Sequence, residues 1–308
     1  MKIYNNIDDF RGVEKPVITT GTFDGVHRGH RKILEQLREL ANELGGETVL
    51  LTFHPHPRKI LFPDADLKLL NTLDEKVALL RDTGLDHLII HPFSADFSRI
   101  TPEDFIRTIL VQKIGAVGVV AGYDHHFGRN REGAFRELEQ FAEMLNFNVR
   151  EIPAYVTDDV AVSSTKIRAA LREGEISRVN QYLASKYFLT GKVIPGNRLG
   201  RELGFPTANL SIEDENKMLP AIGVYAAKVI LDGKKYPAML NIGTRPTVGG
   251  IGVKLEVHII HYDGDLYDQE LRLMLIARLR NEQKFQSIEQ LVVQLKRDRE
   301  ETLRITAK

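Results

Sequence analysis

Two patterns of hydrophobic spacing follow one another along the chain. Up to about residue 176, continuous apolar runs alternate with stretches whose apolar residues recur every three or four positions. Val17 and Ile18 end a buried strand. Ile33, Leu34, Leu37, Leu40, Ala41 and Leu44 then keep a helical period that Gly45-Gly46 stops. Residues 48–53, TVLLTF, have the β-branched, unbroken apolarity of a strand covered on both faces, and the prolines of 54–57, HPHP, exclude ladder and helix and open it into a loop. The same reading predicts a helix over 74–80 and a strand over 87–90. Thr101-Pro102 starts a helix over 103–111, with strands over 116–121 and 149–152 and a helix over 132–145 between them. Strands separated by helices require parallel crossovers, so this half is predicted to be a doubly wound parallel sheet with ligands at the carboxyl ends of its strands.

From about residue 186 the spacing changes. Short strand-like runs at 188–194, 224–231, 235–242, 255–261 and 270–276, separated by glycine and proline turns, predict a small antiparallel barrel. Ser287 caps a closing helix through Leu291, Val292 and Leu295. The fold class is therefore α/β, a doubly wound Rossmann-like domain over 1–183 followed by a β-barrel domain over 184–308.

Composition narrows the function. The 308 residues exceed one typical core, in keeping with two domains. Lys plus Arg equals Asp plus Glu at 42 each, and no basic run occurs, which argues against nucleic-acid backbone or acidic membrane surface as a partner. The absence of cysteine excludes disulfides, thiolate zinc sites and cysteine nucleophiles and fits a reducing compartment. The N-terminus has no apolar signal core, and no run approaches the ~18 apolar residues of a membrane span. A cytoplasmic protein is expected.

Candidate chemistry collects where the sheet rule predicts, after the strands. The stretch 21–30, GTFDGVHRGH, links a strand to a helix. Gly21 and Gly25 permit close backbone approach to a phosphate, and His27 and His30, three apart at a helix start, can face one point. Helix N-terminal N–H groups favour an anion there, and two imidazoles could stabilise charge on a transferred phosphoryl group. A bare H-x-G-H also fits a surface turn; its place between strand and helix favours the phosphate reading. Eight of the ten histidines precede residue 127, which raises a metal site as an alternative, but no H-E-x-x-H pattern is present. In 122–133, Asp124 and Arg129 sit among permissive glycines, equally compatible with phosphate binding and a polar turn. In 163–168, SSTKIR, a capped helix start with Ser163, Ser164, Thr165, Lys166 and Arg168 can also hold a triphosphate.

The ordered set GTFDGVHRGH, FHPHP, D-x-x-F-G-x-x-R-x-G and SSTKIR resembles the FMN adenylyltransferase half of bacterial bifunctional riboflavin kinase/FAD synthetases, over residues 1 to about 183. The resemblance implies adenylyl transfer from ATP to FMN with release of pyrophosphate. His27 and His30 would stabilise the α,β-phosphates, and Gly21, Phe23 and Asp24 would shape the ATP pocket. Asp124 and Arg129 would lie near the nucleotide, with Ser163, Ser164, Thr165 and Arg168 holding phosphate from the far side. At His54 and His125 the chain departs from the family's usual acidic or aromatic residue.

In the second half, 196–209, GNRLGRELGFPTAN, reads as a flap able to close over polyphosphate, with Gly200, Arg201, Gly204 and Pro206 as its nucleotide-facing positions. Thr207 and Asn209, two apart on an extended chain, share a face and present oxygen ligands to Mg²⁺. A lone P-T-A-N would pass for a turn. The later segments GVY, NIGTRPT, LEVH and LRNEQKF follow in order, and the set resembles the riboflavin kinase domain over about 184–308. In that family the glutamate after N-I-G-x-x-P-T acts as base, which here is Glu256. The expected protein is thus a bifunctional enzyme taking riboflavin, FMN and ATP, with Mg²⁺. A different H-x-G-H transferase carrying an unrelated barrel, or a non-catalytic flavin sensor, would account for fewer of these segments.

Overall fold

The computed structural model describes residues 1–123, 127–129, 133, 135–157, 160–183, 185–195, 199–231, 233–247 and 250–307. Contacts divide the chain into two units, Met1–Ser164 and Thr165–Lys308.

The first unit contains, in order, β1 (Lys2–Tyr4), β2 (Pro16–Thr20), α1 (Arg28–Leu44), β3 (Glu47–His54), α2 (Pro57–Leu61), α3 (Leu73–Arg81) and β4 (His87–Pro92). It continues with α4 (Pro102–Asp104), β5 (Gly118–Gly122), α5 (Phe135–Leu145), β6 (Asn148–Ile152) and a small hairpin, β7 (Val156–Thr157) and β8 (Val160–Ala161). The six-stranded sheet has the order β1-β4-β3-β2-β5-β6 with every pair parallel. Val17, Ile18, Val49, Leu50 and Leu51 are completely buried, as strands covered on both faces must be. The winding reverses at β2, which lies between β3 and β5. The loop leaving the carboxyl end of β2 therefore opens into the crevice at the switch point.

Two local predictions are corrected. The segment after β3 is not an open loop throughout. His56 caps the short helix α2 and Pro57 occupies its first turn, where the missing N–H would have had no helical partner anyway. Beyond α4 the predicted α-helix is instead a π-helical segment, Phe105–Lys113. Its wider coil buries Phe105, Ile106, Ile109 and Leu110 together, and Ile114 N–H reaches back to the Ile109 carbonyl at 3.1 Å.

At the division stands α6 (Ser164–Glu173), followed by α7 (Ile176–Tyr182), β9 (Phe188–Ile194), α8 (Leu199–Glu202), β10 (Ala208–Ser211), β11 (Gly223–Leu231), β12 (Lys234–Thr247), β13 (Gly250–Ile259), β14 (Glu270–Arg280) and α9 (Ile288–Thr306). Six antiparallel strands close a barrel in the order β10-β13-β12-β11-β14-β9. The alternation puts Leu240, Ile242, Leu255 and Val257 inside, buried, and leaves Asn241, Lys254, Glu256 and His258 on the outer face. The sequence does not announce β10, because it is four residues long and half polar. It pairs with β9 on one side and β13 on the other, and so closes the barrel.

Helix α9 is capped by Ser287 as expected and packs on β11, β12 and β14. Its anchor is Asp298, which is buried and receives Arg280 Nε at 3.1 and 3.0 Å and Nη2 at 2.8 Å, with Gln294 adding a bond at 2.8 Å. Removing one member of a buried, forked pair strands the other charge. Asp298→Ala is expected to lower the stability of this unit by about 3 kcal/mol, measured by urea unfolding. An apolar pair, Arg280→Met with Asp298→Leu, should recover much of that loss.

Candidate functional site

In the first unit the site is built from the turn between β2 and α1. Gly21 N–H bonds the Leu51 carbonyl at 3.0 Å, and the chain then turns sharply, with Phe23 at φ 48° and Val26 at φ 40° on either side of Gly25 at φ 92°. Two non-glycine residues in left-handed conformations are costly and need outside support. Asp24 supplies it. Its buried carboxylate accepts from Leu70 N–H at 2.9 and 3.2 Å and from Asn71 N–H at 3.3 Å, and its carbonyl accepts from Ser164 Oγ at 2.9 Å. Lys76, buried on α3, donates to the Thr22 carbonyl at 3.0 Å. Burial lowers the Lys76 pKa, and the Asp24 charge opposes that shift.

The turn delivers two stacked imidazoles to the start of α1. His27 is the N-cap residue, and its Nδ1 accepts from His30 N–H at 3.4 Å, so a neutral His27 carries its proton on Nε2. The rings of His27 and His30 stack with centroids 3.6 Å apart, and Phe23 covers the other face of His30 at 4.5 Å. Gly29 makes this possible, since a Cβ there would stand 3.2 Å from His27 Nδ1 and Cε1. Burial pushes His30 well below the ordinary imidazole pKa, and the charges of His27 and Lys76 push it the same way. Two imidazolium ions so close would repel by about 4 kcal/mol even at an effective dielectric constant of 20. The site therefore rests uncharged at His30 and can accept a proton or donate a hydrogen bond when an anion arrives. His30 Nδ1 is buried without a hydrogen-bond partner.

The other expected residues fall as follows. Arg129 is exposed, its N–H bonded to the Ile100 carbonyl at 2.7 Å, beside the Phe127–Gly133 bridge. Asp124 and His125 lie outside the described residues. Ser163 and Ser164 belong to the first unit, while Thr165, exposed, and Arg168, buried, stand beyond the division on α6. Sequence reasoning missed Lys76. Its signal was legible: a lysine on the face of a predicted helix that also carries Leu79 and Leu80.

In the second unit the strand register assembles the site. Glu256 on β13 lies directly opposite Asn209 on β10 and Asn241 on β12, so the three share one face of the barrel. Lys254, two residues before Glu256, pairs with its carboxylate at 2.7 Å. His258, two residues after it, bonds the Pro206 carbonyl at 2.8 Å, and burial lowers the His258 pKa. Thr207 is exposed and Asn209 buried. Gly200 lies in α8 against this segment. Its carbonyl accepts Phe205 N–H at 2.7 Å, and a Cβ there would collide with the Phe205 carbonyl. Arg201 lies in α8, Gly204 takes φ 77°, and Pro206 is exposed. Glu282 reaches over Gly243, where a Cβ would meet its Oε1 at 2.5 Å. Asn241 and His258 stood in marked segments and Lys254 did not, and that all three flank Glu256 was not legible, because register across three strands is not written in any one of them. Among the described residues no cluster of three His, Asp or Glu side chains forms a metal cage. A hard cation that keeps its waters and leans on substrate phosphates needs only the one or two oxygens that Thr207 and Asn209 offer.

A family model described as FAD synthetase matches residues 11–166, and one described as riboflavin kinase matches residues 183–306. A bifunctional riboflavin kinase/FMN adenylyltransferase of Escherichia coli K12 is 35% identical over 92% of this chain and 90% of its own length. Its counterpart from Listeria monocytogenes is 33% identical over 98% and 95%. A Streptococcus pneumoniae crystal structure described as a macrolide-efflux protein superposes with a TM-score of 0.89 at 30% identity, covering 98% of each chain. In the present chain no helix among the described residues is long and apolar enough to cross a membrane.

The depressed pKa of His30 has a measurable sign. The unfolded chain takes up this proton near the ordinary value of 6.5 and the folded chain resists it, so stability is lost as pH falls below about 6.5 and is unaffected above it. The His30 ring resonance in NMR is expected to titrate below 6.5 in the ligand-free protein and to move upward when a non-hydrolysable ATP analogue binds. A ligand-free midpoint at or above 6.5 would contradict the buried, stacked geometry.

Proposed function

The chain belongs to the family of bifunctional riboflavin kinases/FMN adenylyltransferases, and we propose the following assignment of its residues to the two reactions. The enzyme phosphorylates riboflavin to FMN with ATP in its riboflavin kinase domain and adenylylates FMN to FAD in its FAD synthetase domain. We place the functional boundary at residues 183/184.

In adenylyl transfer a phosphate oxygen of FMN attacks the α-phosphorus of ATP, the bond to the β-phosphate oxygen breaks, and pyrophosphate leaves with the electron pair. Negative charge grows on the α-phosphoryl oxygens and on the departing bridge. The observation that carries the assignment is the stacked His27–His30 pair at the mouth of a 17-residue helix. His27 Nε2–H and the positive end of the α1 dipole meet that charge, and His30 gains a counter-ion that favours its protonated form. The Asp24-anchored turn fixes these donors before ATP arrives, with Gly21 and Phe23 as its wall. Asp124, Arg129, Ser163, Ser164, Thr165 and Arg168 complete the nucleotide contacts.

In phosphoryl transfer the riboflavin 5′-hydroxyl attacks the γ-phosphorus and ADP leaves. Glu256 accepts the hydroxyl proton, a role worth roughly 10²- to 10⁴-fold. Thr207 and Asn209 would hold Mg²⁺, which would supply positive charge to the phosphates in transfer. Gly200, Arg201, Gly204 and Pro206 form the segment that covers the nucleotide. We place the enzyme in the cytoplasm, where a cysteine-free chain acting on ATP has its substrates.

The test is incubation with riboflavin, ATP and Mg²⁺ followed by chromatography, which reads FMN and FAD separately. His27→Ala is expected to abolish FAD formation from added FMN and spare FMN formation. Glu256→Ala is expected to slow riboflavin phosphorylation by roughly 10²-fold or more and spare FAD formation from FMN. Loss of the opposite activity in either variant would overturn the assignment.

A further inference from the structure

Among the outer-face side chains of the barrel that neither reaction has used is His258. His258 stands on β13 two residues beyond Glu256, and therefore on the same face. Its Nδ1 lies 2.8 Å from the Pro206 carbonyl oxygen. A carbonyl only accepts, so Nδ1 must be the donor, and it stays the donor whether the ring is neutral or protonated. The bond crosses between two parts of the site. Pro206 immediately precedes Thr207, and Glu256 is the register partner of Asn209.

The surroundings hold both ends of this bond still. Phe205 is buried in a small cluster with Met239 and Ile260, against Leu295 and Leu303 of α9. The His258 ring meets Phe205 edge to face at 5.3 Å, and Arg299 of α9 lies 5.6 Å from the centre of the Phe205 ring. Past Phe205 the chain is exposed at Pro206 and Thr207 before it enters β10. The Thr207 hydroxyl thus hangs on a two-residue exposed span whose Pro206 carbonyl is held by His258.

We propose that His258 is a positioning residue for riboflavin phosphorylation: by holding the Pro206 carbonyl it sets the Thr207 hydroxyl, with Asn209, at a fixed distance from Glu256. The inference rests on the assignment of Thr207, Asn209 and Glu256 given above. His258 touches neither substrate nor cation in this role; it acts through the backbone. A Mg²⁺ ligand and a base carried by separate strands have to be registered to within a fraction of an ångström for in-line transfer.

The test uses the full chain with three substitutions. His258→Phe keeps the ring against Phe205 and removes the donor. His258→Asn returns an N–H at a similar reach, and Glu256→Ala reports on the underlying assignment. In His258→Phe the Mg²⁺ concentration that half-saturates riboflavin phosphorylation is expected to rise roughly 3- to 10-fold, the loss of one hydrogen bond, with the KM for riboflavin unchanged. Hydrogen exchange in the ligand-free protein, read by mass spectrometry across residues 205–209, is expected to speed up while β11 and β12 stay protected. His258→Asn should restore both quantities to near the parent values. Retained protection of β11 and β12 serves as the internal control for folding of the barrel.

An unchanged Mg²⁺ requirement in His258→Phe, whether or not exchange accelerates, overturns the positioning role. A raised requirement without faster exchange overturns the route through Pro206, and a His258→Asn variant as impaired as His258→Phe overturns the hydrogen bond as the cause. If Glu256→Ala leaves phosphorylation intact, the underlying assignment fails; if Glu256→Ala abolishes it while His258→Phe behaves as the parent, this inference alone fails.

Discussion

A single buried carboxylate decides whether the first site exists. Asp24 collects two backbone N–H groups from the chain before α3, and through them pays for the left-handed turns at Phe23 and Val26. Without that anchor the turn could relax toward ordinary backbone angles, and His27 would no longer cap α1 with its ring over His30. The stack at 3.6 Å, the tautomer of His27 and the unprotonated state of His30 all follow from the shape of one six-residue turn. Lys76 beneath it satisfies the Thr22 carbonyl and adds a positive charge, which disfavours a second one at His30. His30 is thus kept uncharged in the ligand-free protein.

The barrel meets the same demand by other means. Among the described residues it offers no long helix mouth at its site; its polar groups lie on neighbouring strands, and hydrogen-bond register brings them together. Asn209, Glu256 and Asn241 stand abreast across β10, β13 and β12 because antiparallel pairing puts opposed residues on one face. A one-residue slip of β10 would turn Asn209 inward and close the site. The four-residue strand that was hardest to see in the sequence is the one whose register matters most.

Two ion pairs of the second unit carry charge in different ways. Lys254 lies on Glu256 at 2.7 Å with both side chains about a quarter exposed, so solvent screens the pair and its worth to stability is small. Asp298 and Arg280 are far less exposed, and their bidentate bond holds α9 to β14. That helix in turn covers Phe205, so the stability of the closing helix and the placement of the nucleotide segment are linked through one aromatic ring.

Much of this was written in the chain itself. The switch in apolar spacing separated a parallel sheet from a barrel. Strand-ending runs with glycine, histidine and hydroxyl residues marked the loops proposed to face phosphate, because the local chemistry that binds phosphate needs those residue types in sequence. Thr207 and Asn209 were legible for the same reason, being two apart on one extended segment. The fold alone decided what depends on partners far away in the chain. Lys76 under a turn fifty residues earlier, Glu256 opposite Asn209, and His258 reaching Pro206 are contacts across strands and layers, and periodicity within a segment carries no information about them. The winding at 105–113 belongs here too: Phe105, Ile106, Ile109 and Leu110 enter a core shared with Ile18, Val49 and Ile89, and the segment is π-helical where its own residues suggested an α-helix.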